Sequence, residues 1–309
     1  MLLPPKLKRN DKVKLIAPAG AVDKDKFDHL IEIINSLGLQ PVWTEKAISR
    51  FGYFSAHDKD RLQDLINAFL DNSIKAVFCL RGGYGSTRLL DKIPYYLIRQ
   101  NPKIFLGFSD ITALQMAFFK KTKLITFHTS LNALDFDYTR ERFVQMTFFP
   151  NTMELDISVD FAPKTIVLNE GKAKGVLLGG NLSLLISLIG TNFLPKFKNR
   201  IVFLEEISEP PYKIDRMLTH LLMAADIHKA AGVILGIFNK CDWQSYYKNK
   251  DKAFSLYEIF MDRFKDFSFP IVYGFPLGHQ AKISILPMGA EVELDTQNLK
   301  LRLLKPVVK

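Results

Sequence analysis

Lys103-Ile104-Phe105-Leu106-Gly107-Phe108-Ser109-Asp110-Ile111-Thr112-Ala113-Leu114 reads as a buried strand that breaks abruptly into a helix. The apolar run ending at Leu106 suits a parallel strand covered on both faces, because such a strand has no polar side to alternate with. Gly107 permits a tight turn, and Asp110 followed by Thr112, Ala113 and Leu114 opens an amphipathic helix. Ser109 stands at the break, beside a helix N-terminus whose unpaired N–H groups and dipole favour a developing negative charge. A nucleophile would be mounted there. So would an ordinary serine near an N-cap, since Gly-x-Ser-Asp lacks the second glycine of the better specified Gly-x-Ser-x-Gly turn.

Outward from this element, the first half alternates strand and helix signals as a doubly wound parallel sheet does. Val13-Lys14-Leu15-Ile16-Ala17 is a strand that stops in Pro18-Ala19-Gly20. Phe27, Leu30, Ile31, Ile34 and Leu37 fall at helical spacing before Gly38, and Leu62, Leu65, Ile66 and Phe69 mark a second helix from about Asp58. The strand 74–80 then ends in Arg81-Gly82-Gly83-Tyr84-Gly85-Ser86-Thr87-Arg88. Two special loops therefore fall at strand C-termini, where open α/β sheets place ligands.

Turn residues at 150–151, 160–163 and 169–171 interrupt the pattern. Residues 1–150 are expected to form an N-terminal nucleophile-bearing α/β domain, 151–174 the interdomain connection, and 175–309 a smaller C-terminal α/β domain of mixed strands. In that second part, 182–189 reads as an apolar helix and 201–204 as a strand followed by Glu205 and Glu206. Ile283-Ser284-Ile285-Leu286 and Glu291-Val292-Glu293-Leu294 read as a hairpin-like pair around Pro287-Met288-Gly289.

The chain has 309 residues, 48% of them apolar and 24% charged, enough to bury a large core and too apolar for disorder. Its start lacks the ordered charge, apolar run and cleavage site of an export signal, and no apolar run reaches membrane-spanning length, so a cytoplasmic protein with no membrane partner is expected. Two isolated cysteines, Cys79 and Cys241, imply neither a disulfide framework nor a Cys-x-x-Cys site, and Cys79 reads as a small core residue. Six histidines without ligand spacing point to no metal, and nothing calls for a cofactor. The net charge of +10 is dispersed rather than gathered into a stripe, which argues against nucleic acid and for a solvated surface that can also concentrate an acidic small substrate.

Three segments carry groups that would work together. Glu205 and Glu206 end a strand, so alternation directs one inward and the other out. His279 lies in Phe275-Pro276-Leu277-Gly278-His279-Gln280, a loop in which Gly278 allows an unusual backbone turn. A serine hydroxyl is a weak nucleophile until an imidazole takes its proton, and a carboxylate orients that imidazole and stabilises its cation. The Gly82-Gly83 pair fits neither a phosphate loop nor a dinucleotide fingerprint. It serves either to expose a backbone N–H to a substrate oxyanion or simply to pack a tight turn. Arg81 and Arg88 are candidates for holding a terminal carboxylate as bidentate partners, with Tyr84 beside them.

These segments together resemble the LD-carboxypeptidase, or muramoyltetrapeptide carboxypeptidase, family of serine peptidases. The resemblance runs through Ile16 to Gly20, Phe51-Gly52-Tyr53-Phe54-Ser55-Ala56, the Arg81 loop, Gly107-Phe108-Ser109-Asp110, Leu178-Gly179-Gly180-Asn181-Leu182, Leu204-Glu205-Glu206 with Glu209-Pro210-Pro211-Tyr212, and Gly274 to His279. It implies Ser109 as nucleophile, Glu205 and His279 as its partners, and an oxyanion hole from the backbone N–H of Asp110 and of Gly82 or Gly83. It also implies removal of the terminal D-alanine from murein tetrapeptides, a cytoplasmic homodimer, and no cofactor. Thr129-Ser130 stands where the family usually follows its histidine with Gly-Pro, and His128 is expected to be a loop or pocket residue. Two rivals remain. One is a related immunity-type hydrolase of aminoacyl-adenylate antibiotics, for which Trp243, Tyr246 and Tyr247 offer stacking rings. The other is a non-catalytic binding protein for acidic ligands.

Overall fold

The computed structural model describes residues 1–309 and divides into two compact units. Unit one comprises Met1–Thr152 with Ser284–Ala290 and Lys305–Lys309, and unit two comprises Met153–Ile283 with Glu291–Leu304. No helix is long and apolar enough to cross a membrane.

In unit one the elements run β1 (Lys12–Ile16), α1 (Lys24–Ser36), β2 (Gln40–Val42), α2 (Asp58–Leu70), β3 (Ile74–Cys79), α3 (Tyr95–Gln100), β4 (Ile104–Gly107), α4 (Thr112–Thr122), β5 (Thr126–His128) and α5 (Asp137–Phe148). In unit two they are β6 (Glu154–Asp156), β7 (Ile166–Asn169), β8 (Lys172–Asn181), α6 (Leu182–Leu188), β9 (Arg200–Ile207), α7 (Pro211–Ala224), β10 (Gly232–Asn239), α8 (Leu256–Phe264) and β11 (Ile271–Tyr273). The chain then returns β12 (Leu286–Met288) to unit one and adds β13 (Glu291–Asp295) and β14 (Lys300–Leu303) to unit two.

The first sheet has the order β12-β5-β4-β3-β1-β2, parallel except for β12. Its order reverses between β1 and β3, and the loops that follow these two strands open at that switch point. All four residues of β4 are buried, and burying Phe105 and Leu106 contributes about 1.5–3 kcal/mol each. α4 differs from expectation. Every residue from Thr112 to Phe119 is buried, because α3 and the turn at 86–92 cover the face that would otherwise meet water.

The second sheet has the order β6-β14-β13-β8-β9-β10-β11-β7, with β8 to β11 parallel and antiparallel strands on both flanks. Residues 151–174, expected as a connection, supply β6, β7 and the start of β8. The turn residues at 150–151 lie beside the boundary between the two units, and those at 160–163 and 169–171 separate short edge strands. The expected hairpin around Pro287-Met288-Gly289 does not form either. β12 pairs with β5, whereas β13 pairs with β14 and β8, so the turn separates strands of two different sheets.

Candidate active site

Ser109 follows β4 with φ of 60°, a left-handed conformation that is uncommon for a residue with a Cβ. The turn is crowded from below: a Cβ on Gly107 would come within 2.4 Å of Ile111. It is crowded from above as well. A Cβ on Gly82 would come within 2.8 Å of the Ser109 Cβ, 3.0 Å of the Phe108 carbonyl oxygen and 3.1 Å of the Asp110 nitrogen. Glycine is therefore required at 82 for backbone to lie directly over the serine and beside the Asp110 N–H. Gly83, with φ of 108°, turns the chain away against Gly20.

The neighbouring arginines divide. Arg88 is occupied, its guanidinium bound to Asp58 through Nε at 2.9 Å and Nη2 at 2.9 Å, so the expectation that it holds a substrate carboxylate loses its support. The Arg88 pairing, with help from Arg61, holds the Asp58 carboxyl below its usual range against the opposing effect of burial. Arg81 is exposed, and its Nη1 donates to the Ala21 carbonyl at 2.9 Å. With Arg50, Tyr53, Gly83 and Tyr84 it lines an open cleft of about 400 Å³. Cys79 is buried, and burial with the nearby Asp110 pushes its thiol far above the ordinary value, as befits a core residue. His128 is a buried strand residue rather than a loop residue, its Nδ1 3.0 Å from Gln115 Oε1 and its ring against Phe108.

In unit two, Glu205 and Glu206 both end up buried, at 0% and 2% exposure, because the second sheet is covered on both faces at this point. Alternation still separates them. Glu205 Oε2 lies 2.8 Å from His279 Nδ1. Glu206 accepts from Asn181 Nδ2, from the N–H and hydroxyl of Ser183, and from the Ile207 N–H, at 2.6–2.9 Å. Burial raises the Glu206 carboxyl above its usual value, the Ser183 bond opposes this, and the Glu205 charge adds to it.

His279 is held by its backbone. β10 shifts register between Leu235 and Phe238, which lets the Ile237 N–H donate to the Leu277 carbonyl at 2.6 Å. Asn239 Nδ2 donates to the His279 carbonyl at 2.7 Å. Gly278, at φ of 150°, lies so close to β10 that a Cβ would meet the Ile237 oxygen at 2.5 Å. A carboxylate oxygen accepts, so the Glu205 contact is a hydrogen bond in the tautomer that carries its proton on Nδ1, in which Nε2 is the basic nitrogen. No group of three or more His, Cys, Asp or Glu is disposed to hold a metal ion.

Sequence reasoning missed the Asp58–Arg61–Arg88 cluster and the carboxylate of Asp110, because nothing in their spacing announces which backbone groups they meet. Unit two also holds a cavity of about 580 Å³, lined by Tyr212, Asp215, Tyr247 and Phe254 among others. Of Trp243, Tyr246 and Tyr247, it is Tyr247 that lines it.

Residues 13–129 match the LD-carboxypeptidase N-terminal domain, and residues 174–294 match the LD-carboxypeptidase C-terminal domain. A probable murein peptide carboxypeptidase of Bacillus subtilis is 35% identical over 302 residues, covering 95% of this chain and 91% of the relative. Among solved structures, an MccF-like protein from Bacillus anthracis superposes with a TM-score of 0.87 at 26% identity, covering 99% of this chain and 100% of that one. The muramoyltetrapeptide carboxypeptidase from Oxalobacter formigenes superposes with a TM-score of 0.80 at 27% identity, covering 94% and 97%. The chain belongs to the LD-carboxypeptidase family of serine peptidases.

Proposed function

We propose that this chain removes the terminal D-alanine from murein tetrapeptides, with Ser109 as nucleophile, His279 as general base and Glu205 as the carboxylate that orients it. The observation that carries the reading is the 2.8 Å contact of His279 Nδ1 with a fully buried Glu205, in a chain related to murein peptide carboxypeptidases. A buried carboxylate beside an imidazole fixes its tautomer and stabilises the cation that forms when it takes a proton.

The Ser109 hydroxyl attacks the carbonyl that precedes D-alanine while His279 Nε2 takes its proton, which requires the two groups to meet during turnover. The oxyanion is held by the N–H of Asp110 and of Gly82 or Gly83. His279 then protonates the departing amine of D-alanine, and water activated by the same nitrogen releases the tripeptide. Arg81 holds the terminal carboxylate of the substrate, while Arg88 pairs with Asp58. With the reading go a cytoplasmic site of action and a homodimer, the latter measurable by sedimentation.

Mass spectrometry of muropeptides incubated with the purified chain tests this, because the loss of one alanine identifies bond and substrate together. An aminoacyl sulfamoyl adenylate is assayed in parallel. Cleavage of that compound with tetrapeptide left intact overturns the murein reading in favour of the immunity-type hydrolase.

A further inference from the structure

Asp110 is 1% exposed, and a carboxylate taken out of water needs partners. Its partners come from one short segment. The Ser86 N–H donates to Asp110 Oδ2 at 2.8 Å, the Gly85 N–H also donates to this carboxylate, and Ser86 Oγ donates back to the Asp110 carbonyl at 2.6 Å. Ser86 is itself fully buried. The same segment is tied from other sides. Arg61 donates to the Gly85 carbonyl at 3.0 Å and to the Pro18 carbonyl, and the Gly20 N–H donates to the Gly82 carbonyl at 3.1 Å. Between these ties lie Gly82 and Gly83, with Gly82 pressed against Ser109 and the Asp110 nitrogen.

We propose that the Asp110 carboxylate is a positioning group that fixes the Gly82-Gly83 amides relative to the N–H of Asp110 itself, so that donors from two separate loops converge on one oxygen. The inference rests on the oxyanion hole proposed above. The residue type follows from the geometry. A carboxylate is acceptor-only with two oxygens, so it can receive N–H groups from successive residues, whereas asparagine offers one acceptor and alanine none. The carboxylate touches no substrate. It acts through the loop that it holds.

The test compares Asp110→Ala, Asp110→Asn and Ser86→Ala with the parent chain in three measurements. These are amide hydrogen exchange over residues 82–88, kcat and KM on a murein tetrapeptide, and affinity for a peptide aldehyde that forms a hemiacetal with Ser109, set against affinity for the tripeptide product. Asp110→Ala is expected to speed exchange at Gly85 and Ser86 by about tenfold or more. It should lower kcat about 100-fold with KM within about threefold, and weaken the aldehyde by a similar factor while sparing the tripeptide. Asp110→Asn should recover part of each loss, and Ser86→Ala should lose less than Asp110→Ala.

Unchanged exchange, or a parallel weakening of kcat, KM and tripeptide binding in a variant that melts like the parent, overturns the proposal. If Asp110→Ala does not fold, an Asp110→Asn chain that matches the parent in all three measurements overturns it equally. A parent chain that leaves the tetrapeptide intact defeats the carboxypeptidase reading instead, and the exchange data then decide the clamp alone.

Discussion

The Ser109 turn and the Glu205–His279 pair are built in opposite ways. Gly107, Ser109 and Asp110 are near neighbours in the chain, and the turn is closely packed by the Ile111 side chain and the Gly82 backbone: a serine at φ of 60° under a glycine that admits no side chain. Glu205 and His279 stand 74 residues apart and meet only because a register shift in β10 lets the 275–279 loop dock on that strand. The first arrangement is rigid by crowding, the second by hydrogen bonding across a long loop closure. Substitutions at the first should therefore show steric and strain effects, and substitutions at the second mainly electrostatic ones.

The largest expected effect is at the serine. Ser109→Ala should reduce kcat by about 10⁶-fold, read as the loss of alanine release from tetrapeptide. Ser109→Gly should be as inactive yet more stable by about 1–2 kcal/mol, since glycine occupies the left-handed region without penalty, and a lower melting temperature for this variant would break the crowding half of the comparison.

Next comes the carboxylate pair. Glu205→Gln should lower kcat by about 10⁴-fold with little change in melting temperature, because the wrong tautomer of His279 is then favoured. Glu206→Gln should do the reverse. It replaces an acceptor of four hydrogen bonds with a group that also donates, so about 1–3 kcal/mol of stability is lost while more activity survives. Equal activity losses in the two variants would mean that opposite strand faces do not separate their roles.

A smaller effect is expected at Gly82→Ala. The new methyl must displace the Ser109 turn or the loop above it, lowering kcat by about 10²–10³-fold as the N–H donors move, at a cost of about 1–3 kcal/mol from overpacking.

The smallest concerns Lys103, at the entrance to β4, whose ammonium donates to the carbonyls of Ala68 at 2.9 Å and of Asp71. Burial lowers its pKa from 10.5 to about 8, opposed by Asp71. Between about pH 8 and 10.5 the unfolded chain binds this proton more tightly than the folded one, so this group's contribution makes stability rise with pH across that window. Denaturant titrations should show the rise, on the order of 1–3 kcal/mol, in the parent and not in Lys103→Met.

Most of unit one was legible in the sequence because its signals are local. Phe27, Leu30 and Ile34 lie on one face of α1, Leu65 and Phe69 on one face of α2, and β4 is a short uninterrupted apolar run. The amphipathic reading of α4 failed because periodicity reports only the residues of the helix and not what α3 lays over it. In unit two, β6 and β7 went unread for the complementary reason: edge strands of three or four residues are too short to show alternation against their turns.

Sequence alone specified the strand–turn–helix of Ser109, the glycine loop after β3, two carboxylates near the end of a strand and an imidazole in a glycine-bearing loop. Each of these depends on backbone conformations that only certain residue types adopt. The tertiary structure alone decided that Glu205 rather than Glu206 receives His279, that Asp58 claims Arg88, that β12 crosses to the first sheet, and that the Asp110 carboxylate grips Gly85 and Ser86. These outcomes depend on which distant backbone groups remain to be satisfied once both sheets are closed, a condition that no local pattern encodes.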